Sequence, residues 1–286
     1  MHRGLFTSLA AAAATLMLVT NAAVAQAQDQ PLNYIALGDS YSAASGVLPP
    51  DPAASLLCLR SSRNYPHVIA ARTGARLTDV TCGAAETRHF TTSQYPGVAP
   101  QVDAVGPSTD LITMTIGGND SGVFISAILA CGTLGILTLG HGSPCRDTYG
   151  ASFENTIRTT TFPALVAALQ AVRAKAPQAR VGILGYPWIL PASGGCFDKM
   201  PVATGDVPYL RSLQTTLNDA IRRAAEATGA TYVDFSAAST GHDACQRLGV
   251  RWIEPVLQTT NLVVVHPNAL GEANMAAQAI GVLGLV

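Results

Sequence analysis

Charge is scarce in this chain. Asp, Glu, Lys and Arg make up 12% of its 286 residues, and the formal net charge is −1. With no excess of either sign, there is no electrostatic reason to expect a nucleic acid or an anionic membrane as partner. Aromatic residues are few as well, at 6%, which argues against the aromatic-lined groove that a polysaccharide ligand would call for. No Cys-x-x-Cys pair occurs and the histidines do not gather near the cysteines, so no zinc site is expected. There is no Gly-x-Ser-x-Gly elbow, which argues against an α/β-hydrolase. Internal repeats and low-complexity linkers are absent too.

What is present begins with a leader. Arg3 supplies a positive start, 5–19 is an apolar run, and Ala23-Val24-Ala25 is a small-x-small cleavage site. Residues 1–25 therefore read as a secretory signal peptide, with a second cut after Ala27 as an alternative. The run is too short and wrongly flanked for a membrane span, and no Cys follows to carry a lipid anchor. Residues 26–286 are expected to form one domain with a sizeable core. All six cysteines, Cys58, Cys82, Cys131, Cys145, Cys196 and Cys245, lie in it. An even count in an exported chain implies disulfides, with 15 connectivities open. Nearest-neighbour pairing would staple three successive loops, each contributing roughly 3 kcal/mol.

Apolar β-rich runs alternate with helical patterns. Strands are expected over 34–37, 76–81, 111–116, 181–184 and 231–235, and a further strand-like run over 262–265. Helices are expected over 64–74, 101–105, 121–129, 163–175 (with Thr161 as a cap), 208–228 and 272–285. Strands separated by helices predict parallel crossover units in a three-layer α/β domain.

Three of those apolar runs end in chemistry. Gly38-Asp39-Ser40 follows the first, Gly117-Gly118-Asn119-Asp120 the third, and His266-Pro267-Asn268 the run over 262–265. The carboxyl edge of a parallel sheet is where ligands bind. A serine hydroxyl there needs a base, and His266 is the candidate. The oxyanion formed on attack needs preorganised donors, for which Ser40 N–H, Gly83 N–H and the Asn119 amide are candidates. A carboxyl-ester hydrolase is the reading these residues favour.

Taken together, the four blocks resemble the SGNH hydrolases of the GDSL lipase/esterase superfamily. Ser40 matches that family's nucleophile, Gly83 its second-block glycine, Asn119 its Gly-x-Asn-Asp asparagine and His266 its last-block base. The resemblance implies an α/β/α sandwich around a parallel five-stranded sheet, spanning nearly the whole mature chain. It implies a serine esterase or lipase that needs no cofactor and no metal. One position departs from the pattern: most of the superfamily has an Asp three residues before the histidine, and this chain has Val263. The chain is similar here to secreted actinobacterial lipases and esterases with three disulfides, in which a backbone carbonyl orients the base. The expectation is a Ser40–His266 dyad assisted by the Val263 carbonyl, with Asp234 or Asp243 as the alternative acids.

Each motif has a plainer reading. Ser40 is a turn or cap serine if its partners lie elsewhere, Asp39 a ligand of turn amides, Gly83 a turn glycine and Asn119 a helix cap. His67, His89 and His141 read as surface or packing residues, and His242-Asp243 as part of an ordered loop beside Cys245. The apolar, glycine-rich segment 131–145 is either a loop tucking its leucines inward or an acyl-binding wall built from Leu134, Ile136, Leu137 and Leu139. Phe124 and Leu129 are further candidates for that wall. The expected partner is a lipid or small-molecule ester, with transient contact to lipid surfaces, and the protein is expected to act as a monomer. The alternatives are a carbohydrate acetylesterase, a non-catalytic exported module binding lipid or cell wall, and a metal-dependent phosphoesterase using Asp39, Asp120 and His266.

Overall fold

A computed structural model describes residues 1–2 and 30–285. The leader's apolar run and both cleavage sites lie outside the described residues. In chain order the elements are β1 (Asn33–Ala36), α1 (Ser40–Ala43), α2 (Tyr65–Thr73), β2 (Arg76–Asp79), β3 (Leu111–Met114) and α3 (Val123–Leu137). There follow α4 (Pro144–Tyr149), α5 (Ser152–Thr156), α6 (Phe162–Lys175), β4 (Arg180–Leu184), α7 (Val207–Thr228), β5 (Thr231–Val233) and α8 (Ala269–Leu283).

The five strands form one parallel sheet in the order β2-β1-β3-β4-β5. Alternate residues of a strand face opposite sides, and here each side has its own core. Tyr34 and Ala36 of β1 join Tyr65 and Ile69 of α2 and Met275 and Ile280 of α8. Ile35 and Leu37 join Leu165 and Leu169 of α6 and Leu213 and Ile221 of α7. The result is the three-layer α/β/α arrangement expected. From β1 the chain passes to β2 on one side and later returns to β3 on the other. The crevice between the carboxyl ends of β1 and β3 is therefore the topological switch point, where open α/β sheets bind ligands.

The disulfides pair nearest neighbours: Cys58–Cys82, Cys131–Cys145 and Cys196–Cys245. Other expectations need correction. The third helix does not stop at residue 129: α3 runs to Leu137, so Cys131 is helical and the first half of the supposed loop is not a loop. Thr161 is no cap, because its backbone is helical and a π turn over Ile157–Thr161 joins α5 to α6. Pro163 explains the π turn, since its ring removes a donor and crowds the preceding turn, and the ladder widens to absorb it. Residues 262–265 form bends and turns, not a strand. Val265 there has φ +59, which no strand accommodates.

Candidate active site

Ser40 opens α1 directly after β1. Gly38 makes the turn possible: at φ +124 a Cβ would run into the Thr115 carbonyl and the Ser42 hydroxyl. Asp39 caps α1, its Oδ1 accepting from Tyr41 N at 3.0 Å and from Thr115 Oγ1 at 2.7 Å. Its Oδ2 accepts from the Tyr186 hydroxyl, which itself accepts from Gly118 N–H at 3.0 Å. One carboxylate thus ties the β1 turn to the loop after β3. Burial pushes Asp39 up to about 6, against the pull of those hydrogen bonds.

His266 arrives from a loop near the other end of the chain. Its Nε2 lies 2.7 Å from Ser40 Oγ, and both residues are more than nine-tenths buried. Nδ1 lies 2.7 Å from the carbonyl of Val264, not Val263. The left-handed backbone at Val265 accounts for the shift, because it turns the preceding carbonyl back toward the ring. Neither alternative acid reaches the imidazole: Asp234 accepts from Ser236, and Asp243 from Cys245 N and Gln246. Nδ1–H donating to a carbonyl leaves Nε2 as the acceptor facing Ser40, the tautomer a general base requires.

Burial holds His266 below its ordinary pKa of 6.5, partly opposed by the Val264 carbonyl, which favours the charged ring. The imidazole is therefore neutral at pH 7, the state in which it could act as a base. Protonation disables it, so the acid limb of kcat/KM is expected to have its midpoint below pH 6.5. A pH–rate profile on a soluble ester checks this, and a midpoint above 7 would contradict it. Asp39→Asn, which leaves His266 untouched, is expected to keep the limb in place.

The loop after β2 supplies another correction. Gly83 N–H is already donated to the Cys58 carbonyl at 2.7 Å, so it is not available to an oxyanion. Gly83 is required for space instead, since a Cβ would meet the Cys58 carbonyl and Ser45 Oγ at 2.9 Å each. The next residue is the better donor. Ala84 is exposed at φ +60, and its N–H has no protein acceptor among the described residues. Ser40 N–H, at the first position of α1, is equally uncommitted. Asn119 Nδ2 reaches the same loop through the Ala85 carbonyl at 3.1 Å and keeps a second N–H. No sequence signal marks Ala84, because an alanine in the left-handed region looks like any other.

Beside the dyad lies an apolar cavity of about 270 Å³. Gly118, Phe124, Ile128, Leu190, Met200 and Leu213 are among its walls, and Val265 and Tyr186 stand at the dyad's end. The Phe124 ring is 6.0 Å from that of His266. Of the wall residues expected from sequence, Phe124, Leu129 and Ile136 line the cavity, whereas Leu134 and Leu137 do not. The segment is helix, so its side chains fan around the axis: Ile136 faces the cavity, Gly135 lies against the Pro201 carbonyl and Leu137 is 73% exposed. Leu139, beyond the helix, is exposed too.

Three of the remaining histidines behave as structural residues, and His141 is exposed. His67 bonds Asn64, the α2 cap, His89 accepts from Glu86 N, and His242 stacks on Trp252. Asp120 accepts from both the N–H and the hydroxyl of Thr87, and burial pushes it up to about 6. No grouping of three His, Cys, Asp or Glu side chains able to hold a metal occurs among the described residues.

A hydroxyl paired with an imidazole at a switch point of this α/β/α fold, near an apolar cavity, fits one class, and the relatives of the chain agree: it is a carboxylic ester hydrolase with the SGNH fold. Residues 36–273 match the GDSL-like lipase/acylhydrolase family, and the chain belongs to it. It is 63% identical over 289 residues to Lipase 2 of Streptomyces coelicolor, covering 99% of this chain and 98% of that one. The fold is similar to that of phospholipase A1 from Streptomyces albidoflavus NA297, at a TM-score of 0.73 and 28% identity over 88% of this chain and 100% of the other. The extracellular lipase of Streptomyces rimosus gives the same TM-score and identity, with 88% and 99% covered.

Proposed function

We propose that this protein is a secreted lipase or esterase that cleaves fatty-acyl esters through an acyl-enzyme on Ser40. The observation that carries the reading is the apolar cavity of about 270 Å³ beside a hydroxyl 2.7 Å from a neutral, buried imidazole. Ser40 Oγ attacks the ester carbonyl carbon as His266 Nε2 takes its proton. The tetrahedral oxyanion is held by Ser40 N–H, Ala84 N–H and the Asn119 amide. His266 then returns the proton to the leaving alkoxide, and water, activated by the same nitrogen, releases the acid. The Val264 carbonyl keeps Nδ1–H in place throughout.

Several features support acyl lipids over short polar esters. An acetyl group needs only a fraction of the cavity, whereas each buried methylene of a longer chain contributes about 0.8 kcal/mol. The helix forming one wall is itself apolar on its outside. Over Asp120–Leu137 the mean hydropathy is 1.7, yet only 28% of the segment is buried. No charged residue occurs from Ser121 to Cys145. A core helix would be covered, so this face suits transient contact with the uncharged surface of a lipid aggregate. Export is supported by the leader and the three disulfides, and by the extracellular relative.

The test is hydrolysis of p-nitrophenyl esters from acetate to laurate by the wild type and Gly132→Phe. Gly132 lines the cavity, and a Cβ there meets nothing within 4 Å, so a side chain can leave the helix at this point without a clash at its first carbon. The wild type is expected to prefer the longer acyl chains. The variant is expected to keep acetate within about twofold and to lose laurate by about 10-fold or more. Equal losses across the series would remove the cavity from the reading, and no activity on any ester would favour the binding module.

A further inference from the structure

The base of this enzyme is oriented by a carbonyl in place of a carboxylate, and a carbonyl is only as well aimed as the loop that carries it. That loop is under strain. Val265 is fully buried, β-branched and at φ +59, a conformation that costs energy and persists only when its surroundings impose it. If Val265 relaxed toward the β region, the peptide groups on either side would rotate and carry the Val264 carbonyl off the Nδ1–H direction.

Two sets of contacts impose the turn. On one side, Val265 N donates to the Glu254 carbonyl and Glu254 N to the His266 carbonyl, at 2.9 Å each. On the other, the Val265 carbonyl accepts from the hydroxyl of Tyr41 at 2.8 Å. Tyr41 follows the nucleophile directly in the chain. Its ring is 2% exposed, sits 5.2 Å from the His266 ring and meets Tyr186 edge-on at 5.0 Å.

We infer that Tyr41 is a positioning residue, whose hydroxyl holds the strained Val265 turn and so aims the Val264 carbonyl at His266. The inference rests on the Ser40–His266 reading. It gives the residue after the nucleophile a task at the far end of the chain: the backbone of Tyr41 shapes the Ser40 turn while its hydroxyl sets the base. The charged and titratable groups on the elements around the dyad are Asp39, Tyr41 and Tyr186, Asp120 after β3, Glu254 with Arg251 on the segment bonded to the loop, and Glu272 of α8. None of them bonds a ring nitrogen of His266, whose partners are the Val264 carbonyl and Ser40 Oγ.

The variant is Tyr41→Phe, which deletes one oxygen and keeps the ring. Its control is Tyr34→Phe, which deletes a comparably buried hydroxyl bonded to Thr113 Oγ1, away from the dyad. On p-nitrophenyl butyrate, Tyr41→Phe is expected to lower kcat by about 10- to 100-fold with little change in KM. Its acid limb is expected to move to lower pH, because the carbonyl that favours the protonated ring is no longer held. Tyr34→Phe is expected to lower the unfolding midpoint only. A second measurement does not depend on the stability of one variant: the same substitution in a Val265→Gly background, where φ +59 carries no strain, is expected to cost clearly less kcat. Tyr41→Phe that matches Tyr34→Phe in rate and pH profile would overturn the inference, as would an equal loss in both backgrounds. Wild-type activity that survives His266→Ala would instead overturn the dyad itself.

Discussion

Ser40→Ala is expected to lower kcat on soluble esters by about 10⁴-fold or more, and His266→Ala by a similar factor, with the double variant no worse than either alone. The reason is that the two groups act as one. Without Nε2 at 2.7 Å the hydroxyl keeps its proton at the moment of attack. Without the hydroxyl, the base has no nucleophile to activate. Multiplicative losses would mean that the two contribute separately, which the contact between them does not allow. Ser42 is the internal control. It stands two residues further on and is fully buried, but its hydroxyl is engaged with Thr115 N at 2.7 Å, Thr115 Oγ1 and the Tyr65 hydroxyl. Ser42→Ala therefore removes buried hydrogen bonds, at a cost in stability, without removing a nucleophile. A residual rate above that of water in Ser40→Ala would come from Ser40 N–H, Ala84 N–H and Asn119, which the substitution leaves in place.

The dyad was legible in the sequence because its members sit where strand patterns end, and strand patterns are carried by side chains. All five strands were found from their apolar runs, each within a few residues, and so were the helices closed by Gly74 and Gly229. What stayed hidden was set by backbone geometry. Gly83 was named as an oxyanion donor from its match to the family's second-block glycine, but its N–H is taken by the Cys58 carbonyl. The uncommitted donor belongs to Ala84, in a left-handed conformation that alanine does not advertise. Val263 was named from the family's acid position three residues before the histidine, and only the left-handed turn at Val265 shows that the Val264 carbonyl faces the ring. The residues named for an acyl wall divide by where the helix places them. Phe124, Leu129 and Ile136 line it, whereas Leu134 and Leu137 were included on the premise of a loop that is in fact helix.

Glu254→Ala is expected to lower the unfolding free energy at neutral pH by about 3–5 kcal/mol and to reduce kcat with it. Glu254 is fully buried and Arg251 is 4% exposed. Their carboxylate and guanidinium meet at 2.7 and 3.2 Å, so removing the acid leaves a cation uncompensated. The same carboxylate accepts from Thr260 N at 2.7 Å and from Asn268 Nδ2 at 2.9 Å, the two shoulders of the loop that carries His266. Burial alone would raise its pKa, but the bonds from Arg251, Asn268 and Thr260 prevail and hold it below the ordinary 4.5. The sign follows from that depression. Its stabilisation is present in full above that ordinary value, which the unfolded chain keeps, and is lost as pH falls through the lower folded value. Denaturant titrations should therefore show a wide gap between wild type and variant at pH 7, narrowing below about pH 4. An unchanged midpoint at neutral pH would mean that Arg251 finds another partner and the loop needs no clamp. The expected loss would mean that the carboxylate missing from position 263 has a counterpart one step removed, where it fixes the loop and leaves the ring to a carbonyl.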